Sequence, residues 1–412
     1  MSTSGLWKLQ ACDTIEQDHW GSTMDFSLTQ EQRAIVDAVE SLCRDFDAEY
    51  WAERDRSGVF PSDFHQAMAK AGWLGIAMPA AFGGAGLGMI EAALVLQAVA
   101  ASGAGMSGAS AIHMNIFGLH PVVVFGSDRQ KQQWLPPLIR GEHKACFAVT
   151  EPDTGLDTTK LKVTAKKQPD GNYLISGKKV WISTAQVADH MLILARTTPI
   201  EEVKKHSEGL SLFYTKIDRK YMDIREIDKL GRAAVDTNEI FIDNLPVSAD
   251  SLIGEEGKGL SYNFHGMNAE RVLVAVEQVG IGRAVLKLAT QYAKERIVFG
   301  RPIGKNQGVQ HPLARCWAEL EAANHMIFAA ASLYDKGLSC GSEANAAKLL
   351  ASEACMNACQ TSILTHGGFG YAKEYHVERF MREAWIGYIA PVTPQLILSN
   401  IAERKLGLPK SY

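Results

Sequence analysis

The chain has 412 residues, 46% of them hydrophobic, so it can bury a large core and is expected to divide into two or three domains. Its net charge of −4 argues against a nucleic-acid or anionic-membrane partner. No apolar run reaches the roughly 18 residues that a membrane span requires.

The seven cysteines indicate a reducing compartment. Their number is odd and they contain no CxxC pair, which is typical of reduced thiols in an intracellular protein, so we expect a cytoplasmic location. Cys355 and Cys359 share a predicted helix face and could in principle bind a metal. Because no histidine pair is nearby, a packing role is favoured and no metal site is predicted.

Residues 1–24 are predicted to form a loose extension. The first 23 residues lack an apolar stretch and an arginine and carry acidic residues, so they resemble neither a signal peptide nor a transit peptide. Their role cannot be inferred from their composition.

Residues 25–145 are predicted to form a helical domain. Its first helix opens with a capping box within residues 27–32 and places Ile35, Val39 and Leu42 on one face. A second helix starts near Pro61 and ends at Gly72. More helix is expected as far as roughly residue 138.

A glycine run, FGGAGLG at residues 82–88, interrupts these helices. It follows no β-branched strand, and no acidic residue stands at the distance that a dinucleotide-binding fingerprint requires. We therefore predict a loop here, with the next helix beginning near Ile90.

Residues 146–255 change to short β-rich segments separated by turn residues. Seven such segments predict a β-sandwich or barrel. They are CFAVTEP, LKVTAKK, GNYLISGKKVWIS, HMLILAR, GLSLFYTKI, MDIREI and TNEIFIDNLPV.

Residues 256–412 return to long helices, so the chain has an α+β arrangement in three parts. The longest helix is predicted from Arg271 to about Arg296, with Asn268 capping its start. Glu270 and Arg271 place a carboxylate beside a guanidinium at that start. The apolar stripe of this helix is predicted to contain Val274, Gln278, Ile281, Val285, Leu288 and Tyr292.

Four motifs, each weak alone, occur on these predicted elements: VTEPxxGxD at 149–157, KVWIS at 179–183, ERxxFGxPI at 295–303 and GGFGY at 367–371. In this order and spacing the chain resembles the acyl-CoA dehydrogenase family over nearly its whole length. The resemblance implies an N-terminal helical domain, a middle β domain and a C-terminal four-helix bundle. It also implies bound FAD, an acyl-CoA substrate, a homotetramer or homodimer, and electron transfer to an electron-transferring flavoprotein.

The resemblance assigns residues to the FAD site. A flavin ring needs a flat apolar surface and a few polar groups, which Trp181, Thr150 and Ser183 would offer; without the resemblance, Trp181 would be interpreted as a core tryptophan. Arg296 is expected to reach the FAD pyrophosphate of the neighbouring subunit, although a cation at a helix C-terminus is also favoured by the helix dipole. The other assigned positions are Phe147, Val149, Phe299, Gln307, Gly367, Gly368, Thr393 and Gln395, and those assigned to substrate are Asn268 and Asp157.

The implied reaction needs a carboxylate base close to the substrate. Most of the family carries this glutamate near the C-terminus, where this chain has Pro391. A smaller branch, which includes isovaleryl-CoA and long-chain acyl-CoA dehydrogenases, carries it at the position of Glu270. We expect Glu270 to be the base and Arg271 to hold its charge and the site architecture; the alternative is a helix-start residue favoured by the dipole, and Glu277 is a weaker rival.

Three departures from the family pattern affect other contacts. Pro391 lacks the backbone N–H that relatives direct at the thioester oxygen, so Val392 supplies it, the register shifts by one, or activation is weaker. Leu156 replaces a frequent serine near CoA. Leu364 replaces a frequent glutamine near the adenosine of FAD.

Two other classes of function remain open alongside the dehydrogenase. The same fold and flavin could serve a monooxygenase or oxidase that reacts with O₂, or the chain could be a non-catalytic binding partner. Oxygen reactivity of the reduced flavin would distinguish the first, and absence of flavin the second. The length and branching of the acyl group are not specified by the sequence.

Overall fold

The computed structural model describes residues 27–411, so the predicted extension at residues 1–24 lies outside it. Its α-helices are α1 Gln30–Cys43, α2 Ala48–Ser57, α3 Ser62–Lys70, α4 Met89–Val99, α5 Gly105–His113, α6 His120–Phe125, α7 Asp128–Ile139, α8 Gly259–His265, α9 Met267–Glu295, α10 Gln307–Asp335, α11 Gly341–His366, α12 Val377–Ile389 and α13 Pro394–Arg404. Its strands are β1 Ala145–Ala148, β2 Thr164–Lys167, β3 Tyr173–Ser183, β4 His190–Arg196, β5 Leu210–Lys216, β6 Met222–Glu226, β7 Thr237–Val247, β8 Leu252–Ile253, β9 Ile297–Val298 and β10 Arg301–Pro302.

The first helix has the predicted capping box. The hydroxyl of Thr29 accepts from the Gln32 backbone N–H, and the Gln32 side chain accepts from the Thr29 N–H, both at 3.1 Å. Val39 is fully buried, and Ile35 and Leu42 pack against the same core. The apolar periodicity therefore identified the buried face of α1.

The apolar run Met89–Phe125 contains α4, α5 and α6, joined by π-helical turns at residues 100–104 and 114–118. In length and mean hydropathy it would pass for a membrane span, so the expectation that no apolar run is long enough was wrong. However, 72% of its apolar window is buried inside the protein. A helix in the core of a protein is buried to a similar extent. The first turn bends at Gly103, which has a φ of 113°, and the second directly follows His113.

The seven predicted β segments all form strands, and β8 adds an eighth to the same sheet. The hydrogen-bonded order is β6-β7-β3-β2-β4-β5-β8, and β1 pairs in parallel with β4. A register shift in the β3–β7 pairing falls between Lys179 and Ile182. This bulge affects the site, because Trp181 lies within it.

The helices at the two ends of the chain share one hydrophobic core. It extends from Val39 in α1 through Ala100 and Leu273 to Ala384 in α12, whereas the buried faces of the sheet form separate clusters. Together with the sheet, this arrangement confirms the α+β class. The helical parts cannot be separated without exposing that core.

Three predictions about the longest helix are wrong. α9 begins at Met267 rather than Arg271, and Asn268 lies inside its first turn instead of capping it; no side chain caps α9 from the Gly266 position. The buried surface is also wider than one stripe, since the side chains from Val272 to Leu286 are almost all buried. A helix that is enclosed on every side has no polar face to give a clear period.

Candidate functional site

Glu270 lies in the first turn of α9, directly after the short helix α8 and Gly266. Its side chain is 31% exposed, which leaves it accessible without being at the protein surface. Glu277 follows two turns later on the same face, but its side chain is only 2% exposed. A carboxylate at the N-terminal end of a helix is stabilised by the helix dipole.

His113, the last residue of α5, lies between these two carboxylates. Its Nε2 is 2.9 Å from Oε2 of Glu270, and its Nδ1 is 2.7 Å from Oε1 of Glu277. Ionised carboxylates only accept hydrogen bonds, so an imidazole that bonds to both must donate from both nitrogens. The arrangement therefore fits an imidazolium between two carboxylates.

The electrostatics of the group agree with this protonation state. Burial opposes a charge on His113, but Glu270 and Glu277 together outweigh it and raise the pKa of His113 well above its usual value. Burial would raise the pKa of Glu270, yet the attraction and hydrogen bond of His113 reverse this and lower it. Glu270 is thus held in its ionised form, as a base must be.

Arg271 fulfils only one part of the role expected from the sequence, since it holds the local architecture but does not pair with Glu270. Its guanidinium donates to Oδ1 of Asn345 at 2.5 Å, to Oδ1 of Asn268 at 2.6 Å and to the Met267 carbonyl at 3.0 Å. Within residues 27–411 it forms no ion pair with Glu270, whose charge is balanced by His113 instead. Asn345 in turn bonds to Asn400 in α13 at 2.9 Å. Arg271 therefore joins the start of α9 to α11 and α13.

The helix that carries His113 is fixed at its other end by Glu383 of α12. This fully buried carboxylate accepts from the backbone N–H groups of Met106 and Ser107, at 2.7 and 3.2 Å, and from the Ser107 hydroxyl at 2.7 Å. Arg379 donates to the same carboxylate at 3.2 Å. Because α5 has no capping side chain of its own, Glu383 satisfies its first donors and fixes the helix.

Arg232 connects α5 to the sheet. Its buried guanidinium donates to the hydroxyls of Ser110 at 3.1 Å, Ser183 at 2.9 Å and Thr237 at 3.1 Å. Ser110 precedes His113 by three residues, so both face the same side of α5. One helix thus holds the carboxylate pair and the predicted flavin-contacting end of β3 close together.

Trp181 is presented outward by the bulge in β3. Its φ is 63°, a conformation that bulky residues rarely adopt, and 59% of the residue is exposed. Thr150 lies close to it, because the Val180 N–H donates to the Thr150 carbonyl at 3.0 Å. An exposed indole with the hydroxyl residues Thr150 and Ser183 nearby provides one flat apolar surface and adjacent polar groups.

Phe147 and Val149 are less exposed than Trp181. Phe147 is partly buried in β1, and Val149 is buried with its carbonyl accepting from Nζ of Lys179 at 2.8 Å. The predicted substrate residue Asp157 is on an exposed turn, where it accepts from the Thr159 hydroxyl at 2.5 Å and pairs with Lys160 at 2.9 Å. Nothing in its contacts connects it with Glu270.

The predicted FAD residues of the C-terminal helices form a second, exposed group. Arg296 ends α9, with its guanidinium 5.4 Å from the centre of the Phe369 ring. Phe299 is fully exposed at the tip of the β9–β10 hairpin, and Gln307 is exposed at the start of α10. None of them contacts the Trp181 surface within the described part of this chain.

The remaining predicted FAD residues lie where α11 and α12 end. Gly367 has a φ of 61°, and a Cβ added there or at Gly368 would meet nothing within 4 Å, so the backbone is open to an approaching group. Thr393 caps α13 by accepting from the Leu396 N–H at 3.4 Å, and Gln395 is exposed.

Pro391 lies between α12 and α13 and provides neither a carboxylate nor an N–H. The next residue, Val392, has a backbone N–H that donates no hydrogen bond to the part of the chain that the structure describes.

Cys355 and Cys359 are fully buried in the helical core, where residues 27–411 hold no cluster of three metal-ligating side chains. These thiols pack as predicted.

Sequence reasoning missed three residues of this site, namely His113, Arg232 and Glu383. Their partners are between 49 and 277 residues away in the sequence, except for Thr237 and Arg379. The one available signal was compositional: His113 interrupts the apolar run GASAIHMNIFG. A lone charged group in a buried run requires a partner.

Comparisons with known proteins agree with this geometry. The N-terminal, middle and C-terminal domain families of acyl-CoA dehydrogenases match residues 29–142, 146–245 and 257–406. Acyl-CoA dehydrogenase FadE12 of Mycobacterium tuberculosis is 35% identical over 393 residues, which cover 94% of this chain and 99% of that protein. This chain belongs to the acyl-CoA dehydrogenase family.

Other acyl-CoA dehydrogenases are similarly close. One from Bacillus subtilis is 34% identical over 381 residues, covering 92% of this chain and 99% of the relative. The structure of butyryl-CoA dehydrogenase from Megasphaera elsdenii superposes with a TM-score of 0.88 at 28% identity, covering 93% and 100% of the two chains. The family, the fold and the assignment as an FAD-dependent oxidoreductase acting on acyl-CoA are confirmed.

The residues of this acyl-CoA dehydrogenase fit FAD. The outward indole of Trp181, with Thr150 and Ser183 nearby, suits a flat heteroaromatic ring, and the exposed guanidinium of Arg296 suits a pyrophosphate. These two features stand on separate parts of the chain. FAD is a long molecule, so its site needs an aromatic surface for the flavin ring and a cationic group for the pyrophosphate.

Proposed function

We propose that this enzyme removes the α-proton of an acyl-CoA thioester with Glu270. The supporting observation is the hydrogen bond from His113 to Oε2 of Glu270, which keeps the carboxylate ionised at a partly accessible position. The other oxygen, Oε1, accepts no hydrogen bond from residues 27–411 and is available for a substrate proton. Glu277 is buried and bonded to His113, so it is poorly placed to serve as the base itself.

The proposed reaction gives the trans-2-enoyl-CoA. The Cα–H bond breaks, its proton moves to Oε1 of Glu270, and its electrons form the Cα–Cβ double bond while the β-hydrogen leaves with its electron pair. Bound FAD supplies the acceptor for that hydride. The chain's own contribution is to orient the base, exclude water through the buried helices around it, and carry the proton on Glu270.

The position of this base places the enzyme, in our proposal, with the isovaleryl-CoA and long-chain branch of the family. Support comes from Pro391, which occupies the alternative position and has no ionisable group. Since negative charge develops on the thioester oxygen, a donor is needed there as well. We assign this role to the backbone N–H of Val392, which lies beside Pro391 and has no acceptor in the described part of the chain.

We further propose an electron-transferring flavoprotein as the electron acceptor and a homodimer or homotetramer as the working form. A relative from Acetobacterium woodii, 31% identical, is named as a subunit of a caffeyl-CoA reductase–Etf complex. The exposed position of Arg296 and Phe299, away from the Trp181 surface, supports a site that a second subunit completes.

One alternative has specific support. The prolyl acyl carrier protein oxidase AnaB superposes on this chain with a TM-score of 0.86 at 29% identity, covering 93% of this chain and all of that one. An oxidase would use the same base and flavin but pass electrons to O₂. Rapid reoxidation of the reduced flavin by O₂ would favour this alternative over an electron-transferring flavoprotein.

Anaerobic reduction of the bound flavin by a panel of acyl-CoA thioesters tests the proposal. We expect at least one thioester to bleach the wild-type flavin and Glu270→Gln to bind it without bleaching. Glu31→Gln is the matched control, because Glu31 is an exposed glutamate in the first turn of α1 and should behave as wild type. Equal bleaching by Glu270→Gln would mean that Glu270 is only a helix-start residue.

A further inference from the structure

We propose that His113, held by Glu277, is a positioning residue that fixes Oε2 of Glu270 and directs Oε1 towards the substrate. This inference rests on the proposed role of Glu270 as the base and adds a function for two residues that do not touch the substrate. It is carried by the two hydrogen bonds of the imidazole, 2.9 Å to Glu270 and 2.7 Å to Glu277.

The geometry restrains both the ring and the carboxylate. With both nitrogens bonded to groups on α9, the imidazole cannot rotate without breaking one bond, and Glu270 cannot change rotamer without losing its cation. The ring is 9% exposed and Glu277 is 2% exposed, so water cannot readily replace either partner. Charge-assisted bonds in such surroundings are stronger than neutral ones.

The charged groups around His113 include both carboxylates and a second cation. α9 contributes the carboxylates Glu270 and Glu277, and the segment between β6 and β7 contributes the cation Arg232, which is attracted by Glu277. Asp236 and Glu383 also act on Arg232. Two cations thus accompany the Glu270–Glu277 pair. Removing His113 would leave two carboxylates on one helix face facing each other without the intervening charge.

The position of His113 at the end of α5 strengthens this role. The N-terminal end of α9 favours the negative charge of Glu270. α5 is itself held by Glu383 at its first residues and by Arg232 at Ser110. The imidazole is therefore attached to a helix with little freedom to shift, which is the condition for holding a base in a reactive geometry.

A purely structural ion pair would predict a different behaviour. If His113 only stabilised the fold, its removal would lower the stability and leave the protonation of the base unchanged. If it positions and ionises Glu270, its removal leaves burial to raise the pKa of Glu270, and the fall in rate at acid pH should then begin at a higher pH.

The test is the pH dependence of flavin reduction by a reactive acyl-CoA, measured by anaerobic stopped flow with the FAD-loaded enzyme. We expect His113→Gln to move the acid limb up by about one pH unit or more, mainly in the limiting rate of reduction rather than in acyl-CoA binding. His113→Asn, whose shorter side chain does not reach both carboxylates, should move it in the same direction and provides the test if His113→Gln does not fold. His65→Gln is the control, since His65 is also buried but bonds only to Asn115.

The outcomes separate this inference from the proposed function. An acid limb that stays in place in folded, FAD-containing His113→Gln and His113→Asn, while Glu270→Gln abolishes reduction, would overturn the positioning role and leave the base intact. If the flavin of Glu270→Gln is reduced at the wild-type rate, Glu270 is not the base, and the positioning role fails with it. A shifted limb in both variants, with no shift in His65→Gln, would support the inference.

Discussion

Nζ of Lys179 lies 2.9 Å from Oε1 of Glu151, and both side chains are almost completely buried. The pair holds the end of β1 against β3, so it fixes Thr150 relative to Trp181. Glu151 also accepts from the backbone N–H groups of Lys162 at 2.6 Å and Val163 at 3.0 Å. The glutamate of the VTEP motif is thus a structural residue beneath the proposed flavin surface.

Removing Glu151 should lower the free energy of unfolding more than removing Lys179. Glu151→Leu leaves the buried ammonium of Lys179 without its counter-ion and two backbone donors without an acceptor. We therefore expect a loss of about 3–5 kcal/mol in the free energy of unfolding and weaker FAD retention. Lys179→Met should cost less, because Glu151 keeps its two N–H donors. Urea denaturation measures the free energy of unfolding of both variants. Lys162→Met, at an exposed ion pair, is the control and should change little; equal losses for the two halves would contradict this account.

Arg271→Lys should reduce turnover without moving the pH profile. A lysine cannot hold Asn268, Asn345 and the Met267 carbonyl together, so the first turn of α9 should loosen and displace Glu270. We expect the rate of flavin reduction to fall by about tenfold to a hundredfold. Since Arg271 is not the counter-ion of Glu270, the acid limb should keep its wild-type position. A shift like that of His113→Gln would show a direct electrostatic role instead.

Three histidines, of which one is buried and two are partly buried, should make the fold sensitive to mild acid. Burial lowers the pKa of His65, His120 and His190 to about 4. The unfolded chain binds their protons near pH 6.5 and the folded protein does not, so stability should fall as the pH drops from about 6.5 towards 4. His113 contributes in the opposite direction near pH 6.5, because it is protonated in the folded protein and only partly protonated in the unfolded chain, and it adds no slope well below that pH, where both states are protonated.

Unfolding free energies measured between pH 6.5 and 5 check this prediction. Each histidine should contribute up to about 1.4 kcal/mol per pH unit. His65→Gln should remove one such contribution and flatten the dependence, while His206→Gln, on an exposed loop, should not. An unchanged slope in His65→Gln would mean that His65 titrates normally in the folded protein.

Gly84→Ala should destabilise the loop that precedes α4. A Cβ at this position would lie 2.2 Å from the Met78 carbonyl oxygen, a backbone atom that cannot move aside cheaply. We expect a loss of about 1–3 kcal/mol in unfolding free energy. Gly155→Ala is the matched control, since its added methyl group meets nothing within 4 Å and no positive φ is required. Thermal melts of the two variants should differ clearly.

The sequence predicted those parts of the fold that depend on local pattern. All seven β segments were recognised because strand periodicity and turn residues are short-range signals. The glycine run was assigned to a loop correctly, and the structure supplies the reason: Ala85, Gly86 and Leu87 donate backbone hydrogen bonds to Gly75, Met78 and Ile76. α2 was missed, since its mostly polar sequence AEYWAERDRS carries little apolar periodicity.

The site was predicted less completely, for a physical reason. Glu270 was proposed from its motif, but its counter-ion was taken to be its neighbour Arg271. Adjacent helix residues point in different directions, so Arg271 turns to Asn345 while Glu270 faces α5. Which histidine of the chain meets Glu270 depends on how α5 packs against α9, and a single sequence carries no direct signal for that packing.

The attachment of α5 by Glu383 and His113 also constrains the order in which the chain can mature. A ribosome that has synthesised only residues 1–255 has released neither α9 nor α12. At that stage His113 lacks both carboxylates, and the first N–H groups of α5 lack their acceptor. The sheet is complete by then, because all eight of its strands lie before residue 254. We therefore expect the nascent chain to carry a formed sheet flanked by unfinished helices, whose apolar run Met89–Phe125 needs protection until α9–α12 emerge.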